Sequence, residues 1–520
     1  MSENTYSITT AIDYVNAAPH LGHAYEKIAT DVMARFQRLQ GKEVFFLTGT
    51  DEHGTKVEKT AKGRGLLPKQ HTDELVEEFK KAWQYLNLSY DRFIRTTDAD
   101  HYAVVEHLWR KMAAKGDIYK KRYQGLYCSG CEKFVNERDL NEEGECSIHQ
   151  RKPEIVEEEN YFFRLTHYKE AIQNHIKANP EFVLPEFRAV EVLQMLEDME
   201  DISVSRHKDS VSWGIPVPDD PDQVIYVWID ALSNYVTGLG YLRDEAMFSQ
   251  FWPGVVHIIG KDILRFHAIY WPAMLLSAEL PLPRQIFAHG FININDSKIS
   301  KSLGNVVSPF TLQERFDLPN PDPIRYYLMT VAAFGQDGSF TEDDFKLKVN
   351  ADLANNLGNL LNRTLNMTNK YFEGRVPQSR YAKPGVLHTE GAAEVREAYE
   401  QFEFQKAAEL ILQLVDWANK EINDKEPWTL FKEDKLTELA DLMYTVLETL
   451  RQVAIMLSPI TPALSDEIWS QLGYHASLSE LMPRWEDIAQ AHIPPGQQVQ
   501  LKGPILPRLD SELAGANKKK

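Results

Sequence analysis

Residues 6–12 form a short β-prone run, residues 24–40 read as a helix, and residues 43–50, EVFFLTGT, read as a buried strand. Strand, helix and strand in that order open a parallel α/β sheet. Leu75, Phe79, Trp83 and Leu86 fall on one face of a further helix and are expected in the core. Later apolar runs, at residues 223–228, 254–260 and 285–291, are predicted as further strands. From about residue 350 the pattern is helical to the end. There Leu439, Leu442, Val446, Leu450, Val453 and Leu457 make a continuous stripe at three-to-four spacing, closed by Pro459 and Pro462. The predicted fold class is α/β: a parallel-sheet domain broken by an insertion, followed by an all-α helix bundle. The expected segments are 1–115 and 221–290 for the sheet halves, 116–220 for the insertion, 291–349 as a connecting region and 350–520 for the bundle.

Composition narrows the setting. The chain has 520 residues, 43% hydrophobic and 26% charged, which is ordinary for a soluble globular protein of roughly two to four domains. No apolar run approaches the ~18 residues needed to span a bilayer, and MSENTYSITT carries no secretory pattern. The expected compartment is the cytoplasm. A net charge of −19 argues against a general nucleic-acid binder, although a local basic face can still meet phosphates.

All three cysteines lie in one polar segment. Cys128 and Cys131 form a C-x2-C pair, and Cys146 with His149 forms C-x2-H. Three thiolates and an imidazole are the donor set of a closed tetrahedral zinc site. A closed site leaves no position for substrate, so its predicted role is to stiffen an insertion that lacks a core.

The turn at residues 13–23, DYVNAAPHLGH, joins the first strand to the first helix. His20 and His23 lie three apart and face one side once the helix starts. Gly22 permits close backbone approach. A helix N-terminus is also a ready anion site, so the turn suits a polyphosphate. Far downstream, residues 297–302 read SKISKS, a short cationic loop with Lys298 and Lys301. Gly260 and Asp262, after a buried strand, suit a ribose hydroxyl, and Gly290 suits an adenine against bare backbone.

HLGH followed by KISKS resembles the paired signatures of class I aminoacyl-tRNA synthetases. The runs AIDYVNAAPHLGHAYEKIATD, FLTGTDEHGTK, YVWIDALSNYVTGLGY, IIGKDILRFHAIYWPAML and AHGFININDSKISKSLGN narrow the resemblance to the methionyl-tRNA synthetase family. It extends from Tyr6 to about Arg508. It implies a Rossmann-like catalytic domain, a zinc knuckle in the insertion and a helical anticodon-binding domain.

The implied reaction is two-step ligation of methionine to tRNA(Met) with ATP and Mg²⁺, by way of methionyl-adenylate. His20, His23, Lys298 and Lys301 would hold and neutralise the phosphates, with Gly22, Gly260, Asp262 and Gly290 completing the ATP site. Asp51 would anchor the substrate ammonium. Ile12, Tyr14, Trp228, Leu232, Tyr235, Ile263 and His267 would enclose the amino acid, and aromatic edges suit a polarizable thioether. Asn359, Arg363 and Trp428 match the anticodon-reading positions. Asp13 and Leu232 depart from common family residues, and Leu21 replaces an isoleucine conservatively. The alternative reading is a class I synthetase for another apolar amino acid. With no C-terminal dimerisation domain visible, the expected state is a monomer.

Overall fold

The computed structural model describes residues 4–128, 133–135, 140–148, 150–294, 307–385 and 387–510. The chain divides into two compact units. The first comprises residues 1–18, 45–80 and 90–288, and the second residues 19–44, 81–89 and 289–520. The helix after the opening turn therefore groups with the C-terminal half of the chain.

The first unit is built on a parallel sheet. Its strands are β1 (Thr5–Thr10), β2 (Asp13–Tyr14), β3 (Glu43–Asp51), β4 (Arg92–Arg95), β5 (Val183–Leu184), β6 (Val255–Gly260) and β7 (Gln285–His289). The order is β2-β3-β1-β6-β7-β5, with β4 also paired to β3. All six residues of β6 and all five of β7 are buried, as expected for strands covered on both faces. Gly49 lets β3 run close to β4: a Cβ there would sit 2.0 Å from the Ile94 carbonyl oxygen.

Two expectations change here. Residues 223–228 are not a strand of the parallel sheet. The strand is Asp220–Ile225, and it pairs antiparallel with Ser205–His207 and Pro216–Val217 in a separate sheet. Trp228 already belongs to helix Val227–Gly238. Antiparallel neighbours close by in sequence need only a tight turn, whereas a parallel partner needs a long crossover. The edge of the main sheet is instead β5, two residues from inside the predicted insertion, in register with Ile286 and Phe287. The rest of the insertion is organised on a long antiparallel pair, Ile118–Cys128 with Glu154–Phe163.

In the second unit, helix Leu21–Leu39 is buried on nearly every face, with every residue from Ala24 to Ala34 buried, including the polar Glu26, Lys27, Thr30 and Asp31. Helix Leu436–Leu457 departs from its stripe: every residue from Asp441 to Leu457 is buried, so it runs through the centre of the bundle. Among the described residues no helix is long and apolar enough to cross a membrane.

One buried arginine ties this unit together. Arg325, fully buried, donates from Nε to Ile460 O (2.9 Å), from Nη1 to Leu86 O (3.1 Å) and from Nη2 to Pro459 O (2.9 Å). Its Nη2 also pairs with Asp31 at 2.8 Å. Asp31 further accepts from Arg35 (2.7 Å) and from the Ser89 N–H and hydroxyl (both 2.6 Å). Burial alone would raise the Asp31 carboxyl, but Arg35 and Arg325 hold it at about 2.

Removing one partner of a buried pair strands the other. Arg325→Leu is expected to destabilise the protein by about 3–5 kcal/mol, read from the shift in its denaturant-unfolding midpoint. An unchanged midpoint would show that the pair and its three carbonyl bonds contribute nothing net.

Candidate active site

The His20 turn is a capping box written in histidine. Gly22 N–H donates to His20 Nδ1 (3.1 Å), and His20 N–H donates to His23 Nδ1 (3.2 Å). Ser/Thr and Glu usually fill these two roles. Each Nδ1 is thus an acceptor, so in the neutral rings the proton sits on Nε2. The rings stack with centroids 3.9 Å apart. Burial, then His20 and Lys27, push His23 well below the usual imidazole range. At neutral pH it is an uncharged N–H donor at a helix N-terminus.

Leu21 N–H donates to Val307 O at 2.9 Å, which fastens the chain after residues 295–306 to this turn. Lys298 and Lys301 lie outside the described residues. Gly290 packs so closely that a Cβ would sit 2.2 Å from Gln336 O. Beside it, His289 Nε2 meets buried Glu26 Oε2 at 3.0 Å.

The predicted amino-acid residues fall in the first unit, in two groups. At the end of β3, Asp51 lies in register with Tyr14 of β2, and Val15 N–H donates to Asp51 O at 3.1 Å. Ile12, half-buried, packs on the main core just before them. The second group joins helix Val227–Gly238 to the segment after β6. His267 Nδ1 donates to Ile263 O (3.0 Å), so its Nε2 accepts from the Tyr235 hydroxyl (2.7 Å). Trp228 meets His267 edge-on, centroids 6.5 Å apart. Leu232 is only 1% exposed and serves the core.

Phe266, which the sequence reading passed over, stacks on Trp228 with centroids 3.7 Å apart and planes at 7°. It opens a π-helical turn, Phe266–Tyr270, a distortion that recurs at functional sites. Beneath, buried His257 donates from Nδ1 to Thr9 Oγ1 (2.8 Å) and accepts at Nε2 from Trp271 (3.3 Å).

Sequence reasoning also missed the network behind Asp51. Glu52 is fully buried and takes two bonds from Arg95, Nε at 2.6 Å and Nη2 at 2.8 Å, plus the hydroxyls of Thr50 and Thr97. His53 Nδ1 meets Asp230 Oδ2 at 2.6 Å, and His101 Nε2 meets Asp230 Oδ1 at 2.7 Å. Asp230 rides the helix that carries Trp228 and Tyr235, so it ties the residue after Glu52 to that helix. Burial alone would raise its carboxyl, but His53 and His101 hold it at about 2. The available signal was a lone acid inside the apolar run VWIDAL.

Gly260 ends β6 buried, and Asp262 follows it exposed. Cys128 and Cys146 are buried in one small cluster with Val135; Cys131 and His149 lie outside the described residues. Two buried thiols in a segment with little other core fit a metal-held knuckle. Asn359 and Arg363 are exposed on helix Gly358–Phe372, with Arg363 Nη2 donating to Asn423 Oδ1 at 3.1 Å. Trp428 is 40% exposed.

The family model for tRNA synthetases class I (M) matches residues 6–146 and 139–365, and that for the anticodon-binding domain of tRNA ligases matches 389–502. The chain is 47% identical over 482 residues to the methionine–tRNA ligase of Synechocystis sp., covering 90% of each. It is 42% identical to that of Halalkalibacterium halodurans over 533 residues, 98% of this chain and 79% of that protein. The structure of Mycobacterium tuberculosis methionyl-tRNA synthetase in complex with methionyl-adenylate superimposes with a TM-score of 0.91. That protein is 40% identical, and the match covers 97% of this chain and 100% of that one.

The Asp230 network has a testable pH signature. Its folded value of about 2 lies below the ordinary 3.8, so its stabilisation is present above that value and is lost as pH falls through 2. Asp230→Asn is expected to lower unfolding free energy by about 2 kcal/mol at pH 7. The gap from wild type should narrow between about pH 4 and 2, followed by chemical unfolding across that range. A gap independent of pH would assign the loss to shape rather than charge.

Proposed function

The chain belongs to the methionine-specific class I tRNA synthetases, and on that footing we propose how its own residues carry the reaction. The enzyme activates methionine with ATP and transfers it to tRNA. A methionine carboxylate oxygen attacks the α-phosphorus, the bond to the β-phosphate breaks, and pyrophosphate leaves. The 3′-terminal ribose hydroxyl of tRNA then attacks the acyl carbon, its proton departs, and AMP leaves. The observation that carries this reading is identity of 42–47% to methionine–tRNA ligases over 90–98% of the chain, with both phosphate motifs whole.

Such chemistry needs positioned charge more than a nucleophilic side chain. His20 and His23, held as Nε2–H tautomers, would donate to phosphate oxygens at the start of helix Leu21–Leu39. Since His23 is uncharged, cationic stabilisation falls to the helix terminus and to Lys298 and Lys301. Mg²⁺ entering with ATP would add charge neutralisation on the phosphates. Asp51 would take the methionine ammonium, with Glu52 and Asp230 holding its turn rigid. Tyr14, Trp228, Tyr235, Ile263 and His267 would surround the thioether. Gly260, Asp262 and Gly290 would receive the nucleoside. Cys128, Cys131, Cys146 and His149 would hold one structural Zn²⁺, and Asn359, Arg363 and Trp428 would read the anticodon.

Methionine should support ATP–pyrophosphate exchange where leucine, isoleucine and valine do not. Asp51→Asn should cut methionine-dependent exchange by about two to three orders of magnitude, while ATP affinity measured without amino acid holds. Loss of ATP binding as well would make Asp51 a structural residue. Metal analysis should find about one zinc per chain, lost in Cys146→Ser. Folded, active wild type without zinc would remove the knuckle.

A further inference from the structure

The helical unit leaves two aromatic rings in water on one short helix, Pro427–Lys432. Trp428 is 40% exposed and Phe431 is 43% exposed. Phe431 lies against Tyr371, centroids 4.7 Å apart and planes at 30°. Tyr371 is the penultimate residue of helix Gly358–Phe372, the helix that presents Asn359 and Arg363. The contact fixes the Phe431 ring yet leaves over two-fifths of it open, and clustered exposed aromatics mark interaction surfaces.

The surrounding charge says what kind of surface. Lys370 Nζ sits 5.3 Å from the Tyr371 ring centre, and Lys432 follows Phe431 directly. Among the described residues neither lysine forms an ion pair. Nearby acids are largely engaged: Glu433 by Lys435 at 2.7 Å, Glu421 by Lys425 at 2.6 Å, and Glu426 by the Thr429 hydroxyl at 2.9 Å. Glu373 and Asp434 also lie in this stretch. In a chain of net charge −19, exposed rings among unneutralised lysines are the combination that binds unpaired nucleotides. Bases stack on the rings and phosphates meet the ammonium groups.

We propose that Phe431, backed by Tyr371, is a second stacking platform beside Trp428, taking an unpaired base of the tRNA anticodon loop other than the one on Trp428. The proposal rests on the anticodon assignment of Asn359, Arg363 and Trp428. Every base has a π-face, so this platform adds affinity without choosing a sequence.

The test uses the full chain and an unmodified methionine-tRNA transcript. Phe431→Leu keeps apolar bulk but loses the ring, and should raise KM for tRNA about ten- to a hundredfold with methionine-dependent pyrophosphate exchange unchanged. Phe431→Tyr should charge tRNA like wild type. One transcript with an abasic loop position should bind wild type more weakly and erase the difference between wild type and Phe431→Leu. If Phe431→Leu equals wild type while Trp428→Ala is impaired, the second platform is overturned and the anticodon assignment stands. If both variants equal wild type, both fall. A Phe431→Leu penalty that survives on every abasic transcript also overturns the platform, because no base then rests on that ring.

Discussion

Neighbouring parallel strands end on the same side, and the placement of the predicted amino-acid residues depends on that constraint. Several of the predicted residues lie in segments that follow β1, β3 and β6, each leaving its strand at the carboxyl end. Ile12 and Tyr14 follow β1, Asp51 closes β3, and Ile263 and His267 follow β6. Such residues must also be kept from drifting. The network of Glu52, Arg95, His53, His101 and Asp230 supplies that stiffness, because buried charged groups are tolerated only when fully bonded.

The His20–His23 turn solves a different problem. A helix start leaves donors unsatisfied, and the usual capping box fills the gap with a hydroxyl and a carboxylate or amide. A carboxylate there would repel a polyphosphate. Two imidazoles satisfy the same backbone groups through Nδ1 and keep Nε2–H as a donor. Burial keeps His23 uncharged, so the turn supplies directed hydrogen bonds and leaves formal charge to other groups.

The second unit uses buried charge for a structural end. Arg325 binds three main-chain carbonyls and Asp31, so one guanidinium ties helix Leu21–Leu39 to the segment between helices Leu436–Leu457 and Pro462–Gln471. Replacement of such a pair by apolar groups is often tolerated thermodynamically. Its physical value here is directional: five N–H donors in a fixed fork admit one arrangement of the segments around them.

The sequence alone was enough for most element types, the parallel sheet, the helical C-terminal half and the histidine turn at the start of the first helix, because periodicity and short turn chemistry are local properties. It also led to Tyr235 and His267, whose contact at 2.7 Å the fold supplies. What it did not reveal depended on pairing between distant residues. The edge strand β5 is two residues long and carries no pattern of its own. The strand Asp220–Ile225 looked like part of the main sheet, because an apolar run does not name its partner. His53, His101 and Asp230 are separated by up to 177 residues, and Arg325 reaches Asp31 from the far half of the chain. A buried charge declares itself in sequence only as an exception within an apolar run, and its partner is chosen by tertiary packing, where desolvation requires that a partner exist.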